Sequence, residues 1–382
     1  MIAVIADDLS GATELAGVGW RFGLTTEILA WTEPVCTVEL LVYDTDSRLS
    51  RPIQAARRAG RVALKLRRAK AEWVYKKVDS VLRGNVLAEI QAICFRLKPQ
   101  GCLLAPANPQ AGRIIRQGRY FINGVPLNQT DFCRDPVYPR RSCRLKQLLD
   151  PTGRRAIRLL NPGTQELPRG LAVGQAATAV DLRHWAGLVT PATLPAGGAE
   201  FFRALLTARG LVPRHPAAEP APQARRTLFV CGSISARSLE FIAASRKRNW
   251  PVVLMPPEVI WDKATPAAQR AWAHGICAGL AGHRHVLLGI GPPVNPGRRA
   301  GARLGNLLID AAREVVMQWA PDRVCIEGGA TAVLLLKRLG ITRLRVEHDF
   351  AMGVTAVRAA SGAGPQIVVK PGSYPWPAAL LA

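Results

Sequence analysis

The hydrophobic positions of this chain fall into two alternating textures. Short, nearly continuous apolar runs, IAVIA (2–6), ELLVYD (39–44), EWVYKKV (72–78) and GCLLAP (101–106), read as strands buried on both faces. Between them lie longer stretches with apolar residues three and four apart. GATELAGVGWRFG (11–23), PIQAARRAGRVALKLRRA (52–69) and NVLAEIQAICFRLK (85–98) read as helices. This order predicts a mostly parallel sheet with helices on both faces. The rhythm breaks between 107 and 175, where Gly, Pro, Asn and Arg crowd together; short strands at RYFIN and AIRLL are expected there, over the sheet's edge. TAVDL and FFRALLTARG close this half.

The stretch LVPRHPAAEPAPQARR (211–226) holds four prolines and no periodicity, and reads as a linker. After it the alternation restarts. TLFVCG, PVVLM, HVLLGIG, RVCIE, LRVEH, TAVRA and QIVVK read as strands. SARSLEFIAASRKR, PAAQRAWAHGICAGLAG (266–282), GARLGNLLIDAAREVVMQWA and TAVLLLKRLG read as helices. The pattern therefore predicts two doubly wound α/β domains, 1–210 and 227–382, joined by a Pro-rich linker at 211–226. Strand-end loops of such domains are expected to face an interdomain cleft.

Composition narrows the class. With 382 residues, 48% of them hydrophobic, and mean hydropathy +0.08, each domain can bury a core. No run of 18 apolar residues suggests a membrane span. MIAVIADDLSG reads as a first strand rather than a signal peptide, so cytoplasm is the expected address. None of the eight cysteines forms a CxxC pair and the six histidines form no HExxH, so no metal ligand is assigned. The net charge of +24 could suit a polyanion. Yet arginine outnumbers lysine 41 to 10, the clusters are short and scattered, and aromatics do not interleave with them. A codon-driven arginine bias explains this at least as well as a polyanion partner, and a small anionic substrate with a nucleotide would also suit a positive field.

The chemistry sits at the strand ends. IADDLSGA supplies Asp7 and Asp8; VYDTDSR supplies Asp44, Thr45, Asp46, Ser47 and Arg48. YKKVDSVLRGN supplies Lys76, Lys77, Asp79, Ser80 and Arg83; LAPANPQAGR supplies Asn108, Gly112 and Arg113. In a doubly wound sheet these loops share one edge. Arg48, Arg83 and Arg113 could each fork onto a carboxylate. Asp7, Asp8 and Asp79 could accept from hydroxyls, and one could serve as a general base. Lys76 and Lys77 alternate along the strand, so one of them is expected in the site. The set suits a small hydroxylated acid. The second half offers glycine turns instead: CGSIS with Ser233 and Ser235, IEGGATA with Gly328 to Thr331, and VKPGSY with Gly372. Backbone N–H groups at such helix starts bind phosphate.

Together these blocks resemble the four-carbon acid sugar kinase family. IADDLSGA, DTDSR, YKKVDSVLRGN, PANPQAGR and GRYFINGVPLNQTDFCRDP are similar to its substrate-side segments. CGSIS, EGGATA with LLLKRLG behind it, AMGV and KPGSY are similar to its nucleotide-side segments, in order. The resemblance implies an ATP-dependent kinase, with Mg²⁺, acting on the terminal hydroxyl of a tetronate such as threonate, erythronate or 3-oxotetronate. It implies acid contacts at Asp7, Asp8, Arg48, Lys77, Asp79, Ser80, Arg83 and Arg113; Asp7 or Asp8 would deprotonate the attacking hydroxyl, or hold Mg²⁺ through water. It implies nucleotide contacts at Ser235, Gly328, Gly329, Ala330, Thr331 and Gly372, to which the turn chemistry adds Ser233. A homodimer is left open. The chain departs from the family at Thr13, Glu14 and Leu15, at Ala330, and at Pro371 and Ser373. Those departures motivate an alternative, an acid-binding relative of weak activity that senses or regulates.

Overall fold

The computed structural model describes residues 1–30, 38–135, 137–153, 155–215, 223–233, 236–261, 265, 267, 271–272, 276, 282–291, 297–372 and 374–381. The chain divides into two compact units, Met1–His215 and Pro216–Ala382.

In the first unit, β1 (Ile2–Ala6), α1 (Leu9–Arg21), β2 (Thr26–Ala30), β3 (Leu40–Asp44), α2 (Pro52–Arg68), β4 (Trp73–Lys77), α3 (Val86–Leu97) and β5 (Gly101–Ala105) follow in order. A small antiparallel sheet comes next: β6 (Arg113–Arg116), β7 (Arg119–Ile122) and β8 (Val125–Pro126). Then come α4 (Leu145–Leu149), β9 (Arg158–Leu160), β10 (Gly170–Gly174), α5 (Ala179–Leu188), β11 (Thr193–Gly197) and α6 (Ala199–Ala208). The main strands lie in the order β2-β3-β1-β4-β11-β5-β10-β9, paired in parallel throughout. β1 through β4 are buried along their whole length, which is why their sequences run apolar without alternation. β1 lies between β3 and β4. The strand order reverses there, and a doubly wound sheet opens a crevice at such a point.

Some elements escape the hydrophobic pattern. β2 is a five-residue strand closely following α1. β11 is central, between β4 and β5, yet carries Pro195; it reaches β4 only through Ala196 and Gly197. The AIRLL stretch is not over the edge: its strand β9 is the edge, paired to β10. TAVDL opens a helix, because Thr178 and Asp181 form a capping box.

In the second unit, β12 (Thr227–Cys231), α7 (Ala236–Lys247), β13 (Val252–Leu254), α8 (Pro257–Ile260), β14 (His285–Gly289), α9 (Gly297–Trp319), β15 (Arg323–Glu327), α10 (Gly329–Arg338), β16 (Arg343–Ala351), β17 (Val354–Ala359) and β18 (Gln366–Lys370) follow. Their order is β13-β14-β12-β15-β18-β17-β16. The first five are parallel, and β17 runs antiparallel to both neighbours. The helix expected at 266–282 lies mostly outside the described residues, as does 216–222 of the expected linker. Among the described residues no helix is long and apolar enough to cross a membrane.

Candidate functional site

The first unit gathers its charged strand-end residues into one lattice. After β1 the chain buries Asp7, and Asp8 becomes the N-cap of α1, its Oδ1 accepting the Gly11 N–H at 2.8 Å. The loop after β3 is tied back to β1 by the N–H groups of Ser47 and Arg48, which both donate to the Asp7 carbonyl. This places the Arg48 guanidinium between two carboxylates. Its Nε and Nη2 donate to Asp7 at 2.7 and 3.0 Å, and its Nη1 and Nη2 donate to Asp8 at 2.5 and 2.9 Å. Asp79 stands 3.7 Å from Nη1.

Asp79 organises the turn after β4. Its Oδ1 accepts the backbone N–H groups of Val81 and Arg83, while Leu82 adopts φ +62° and Gly84 φ +86° to close the loop. Arg83 returns along the turn and forks onto Asp79, with Nε at 3.1 Å and Nη2 at 2.9 Å, and its Nη1 reaches Asp135 at 3.2 Å. Arg48 and Arg83 were expected to be open forks for a ligand. In the structure all three nitrogens of each already donate to protein carboxylates.

The electrostatics separate the acids. Burial pushes Asp79 up, but Arg83 and Arg48 outweigh it and hold the carboxyl well below its usual range. The same contest, with Arg48 and Lys76 prevailing, leaves Asp7 lowered. At Asp8 burial wins, helped by the neighbouring Asp7 charge, and the carboxyl is raised. The Asp7 side chain is 4% exposed and that of Asp8 is 19% exposed, so Asp8 is the more accessible of the two. Asp44, at the end of β3, is pushed up to about 8, chiefly by burial, with the Asp8, Asp46 and Asp7 charges adding to it. Its Oδ1 accepts the Asp46 N–H at 2.8 Å, and its Oδ2 is buried with no hydrogen-bond partner.

Both lysines of β4 are buried in ion pairs, on opposite sides as strand alternation requires. Lys76 meets Glu89 of α3 at 2.8 Å, and both side chains are 1% exposed. Lys77 meets Glu14 of α1 at 3.1 Å and lies on the Asp8 side, where Glu14 and then Asp8 hold its ammonium above the usual range against burial. Glu14, one of the family departures, is thus the countercharge of Lys77.

Besides Arg113, the segment from 113 to 140 supplies residues that the sequence did not single out. Arg113 donates to Ser80 Oγ, and the Tyr120 hydroxyl donates to the Ser80 carbonyl. The Phe132 ring carries the guanidinium carbons of Arg83 and Arg113 at 5.6 and 5.8 Å from its centroid. The Tyr138 hydroxyl donates to the Arg48 carbonyl. The resemblance marked GRYFINGVPLNQTDFCRDP as a whole but none of Tyr120, Phe132 or Tyr138 by itself, because the strand pattern says nothing about where an irregular segment folds back.

In the second unit three glycine turns meet. A Cβ on Gly232 would collide with the Thr331 hydroxyl, one on Gly328 would lie 3.6 Å from it, and one on Gly372 would lie 3.8 Å from Ser233 Oγ and from Glu327 Oε1. Ser233, Gly328, Thr331 and Gly372 therefore lie close together. Gly329 and Ala330 form the first turn of α10, whose N-cap Gly328 has φ +96°. Beneath them Lys370 and Glu327, both buried, stand 3.6 Å apart and tie the ends of β18 and β15. Pro371 contributes no N–H, and its carbonyl accepts from Lys370 Nζ and the Tyr374 N–H. Ser235 and Ser373 lie outside the described residues.

A two-unit α/β protein with a carboxylate–guanidinium lattice in one unit and converging glycine turns in the other is built for a small polar substrate and a phosphate-bearing partner. The comparisons agree. Residues 2–192 match the sugar-binding N-terminal domain model and residues 228–374 the nucleotide-binding C-terminal domain model. The chain belongs to the four-carbon acid sugar kinase family, whose members are phosphotransferases acting on sugar acids. The D-threonate kinase of Cupriavidus necator is 29% identical over 380 residues, spanning 92% of this chain and 88% of that protein. The 3-oxo-tetronate kinase of Methylobacterium radiotolerans is 24% identical, spanning 98% and 96%. A solved structure from Salmonella typhimurium LT2 matches the fold with a TM-score of 0.80 at 18% identity, covering 100% of this chain and 98% of that one.

Proposed function

We propose that this protein transfers the γ-phosphoryl group of ATP to the terminal hydroxyl of a four-carbon sugar acid of the threonate, erythronate or 3-oxotetronate type. The observation that carries the reading is Asp8: a carboxylate raised by burial, part exposed, and held edge-on by Arg48. Asp8 accepts the hydroxyl proton as the oxygen attacks, and its raised basicity suits that step. Asp7, lowered and enclosed, fixes Arg48 and through it the orientation of Asp8. Lys77, Asp79, Ser80, Arg83 and Arg113 line the acid, with Asp79 and Ser80 reading its hydroxyls.

The nucleotide lies on the turns bearing Ser233, Ser235, Gly328, Gly329, Ala330, Thr331 and Gly372, where backbone N–H groups neutralise phosphate. Transfer depends on alignment and charge neutralisation above all. Among the described residues no group of three or more His, Cys, Asp and Glu side chains is arranged to hold a metal ion. Mg²⁺ in this reading arrives on the nucleotide's phosphates, as such ions commonly do. The reaction is placed in the cytoplasm, where ATP is made available to such enzymes. The named relatives favour the enzyme over the sensor. A coupled ADP-release assay over a panel of four-carbon acids tests the proposal. Turnover of at least one acid is expected, and none on any acid by folded protein overturns it.

A further inference from the structure

The lattice leaves an open question of charge, and Arg140 answers it. A substrate carboxylate needs a cation whose N–H groups are free. Arg48 and Arg83 have none to spare, since each donates from all three nitrogens to Asp7, Asp8, Asp79 or Asp135. Lys76 and Lys77 are spent on Glu89 and Glu14. Arg113 donates to Ser80.

Arg140 differs from all of these. It is half-buried beside the same turn, and its guanidinium is oriented by two backbone carbonyls rather than by acids. Its Nε donates to the Tyr138 carbonyl at 2.9 Å and its Nη1 to the Leu82 carbonyl at 3.1 Å. Its backbone N–H donates to the Phe132 carbonyl at 2.9 Å, which pins the segment that carries it. Its guanidinium carbon lies 5.9 Å from the Tyr138 ring centroid, and among the described residues Nη2 makes no hydrogen bond. The charged groups facing it are Asp79 and Asp135, which meet Arg83 instead, and Arg83 itself. Burial lowers its pKa below the ordinary value, Asp79 and Asp135 oppose that, and the Arg83 charge adds to it.

We propose that Arg140 is the anchor for the substrate's carboxylate, binding it end-on through Nη1 and Nη2. This inference rests on the sugar-acid kinase reading and deepens it: Asp8 handles the hydroxyl end, and Arg140 makes the site prefer an acid to a neutral polyol. A guanidinium fixed in place before binding loses little entropy on forming two charge-assisted hydrogen bonds.

The test compares wild type with Arg140→Gln and Arg140→Lys. Substrates are four-carbon sugar acids and the neutral four-carbon polyols of matching stereochemistry. For Arg140→Gln the KM for the acid should rise by about 30-fold, with KM for ATP unchanged. The preference for acid over polyol should shrink by a similar factor. Arg140→Lys keeps the charge without the fork, and should fall between the two. Free guanidinium ion should restore part of the acid preference in Arg140→Ala, which a merely structural arginine would not show. An unchanged acid KM and acid preference in folded Arg140→Gln overturns the proposal. Should that variant not fold, an unchanged acid KM in Arg140→Lys does the same. Wild type that turns over no four-carbon acid would defeat the kinase reading instead. Calorimetric acid binding to wild type and variants without nucleotide then still decides the anchor: equal affinities overturn it, and a loss confined to the variants supports it.

Discussion

Arg48 and Asp8 form a bidentate pair, Nη1 to Oδ2 at 2.5 Å and Nη2 to Oδ1 at 2.9 Å. The pair joins the loop after β3 to the start of α1. It also fixes the carboxylate edge that the proposed chemistry uses. Removing Arg48 leaves Asp7 and Asp8 as adjacent buried anions. Arg48→Met should cost about 3–5 kcal/mol of stability, as broken buried pairs do, and should abolish turnover. Urea unfolding at neutral pH checks the first. Recovery of stability in Arg48→Met combined with Asp7→Asn would locate the cost in the orphaned charge.

Asp8 and Asp7 should separate kinetically. Asp8→Asn should lower kcat by about 100-fold or more, the usual worth of a general base, while the KM for the acid moves little. Asp7→Asn should act mainly through stability and the placement of Arg48. A kcat unchanged by Asp8→Asn would move the base elsewhere.

Asp44 should make stability fall as pH rises. Its folded pKa, about 8, lies above the ordinary carboxylate value of 3.8. The folded state therefore holds a proton that the unfolded chain releases, and stability from the neutral carboxyl is lost progressively between those values. The limiting slope is about 1.4 kcal/mol per pH unit. Asp44→Asn should flatten this trend and be the more stable protein at pH 8, as read by chemical denaturation across pH. Asp79 has the opposite sign. Its depressed pKa gives stability that is present above the ordinary carboxylate range and lost as pH falls through the folded value.

Lys76 and Glu89 are a buried pair whose value lies in being complete. Lys76→Met should destabilise by about 3–5 kcal/mol by leaving Glu89 unpaired, and Lys76→Met with Glu89→Leu should recover most of it. Thermal unfolding of the two variants side by side tests this. An equal loss in the double variant would mean that packing, not charge, is at stake.

Gly232 and Gly328 should report on the nucleotide alone. A Cβ at Gly232 would strike the Thr331 hydroxyl, and one at Gly328 would be forced to φ +96°. Gly232→Ala and Gly328→Ala should raise the KM for ATP by about tenfold or more while leaving acid binding intact; the left-handed position alone costs about 1–2 kcal/mol. Weakened acid binding with normal ATP affinity would reverse the assignment of the two units.

Much of this molecule was legible because its strands are buried on both faces. A strand such as IAVIA or LLVYD must then be apolar throughout, and that texture alone marks β1 and β3 and predicts a mostly parallel α/β architecture. The sequence by itself also determined which residues stand at the strand ends, since each apolar run stops at Asp7, Asp44 or Lys77, and where the glycine turns fall. It did not reveal β11, whose Pro195 is tolerated only because the strand meets β4 through its last two residues. Partnership was decided by the tertiary structure alone. Residues 7, 48, 79 and 135 are far apart along the chain, and nothing in their spacing says that Arg48 is consumed by two aspartates or that Glu14 answers Lys77. Charges pair with whichever opposite charge the fold brings within a few ångströms, and desolvation makes the unpaired ones costly. The irregular segment that ends at Arg140 has no periodicity to read, and its place beside Asp79 emerges only when the chain folds over the carboxyl ends of the strands.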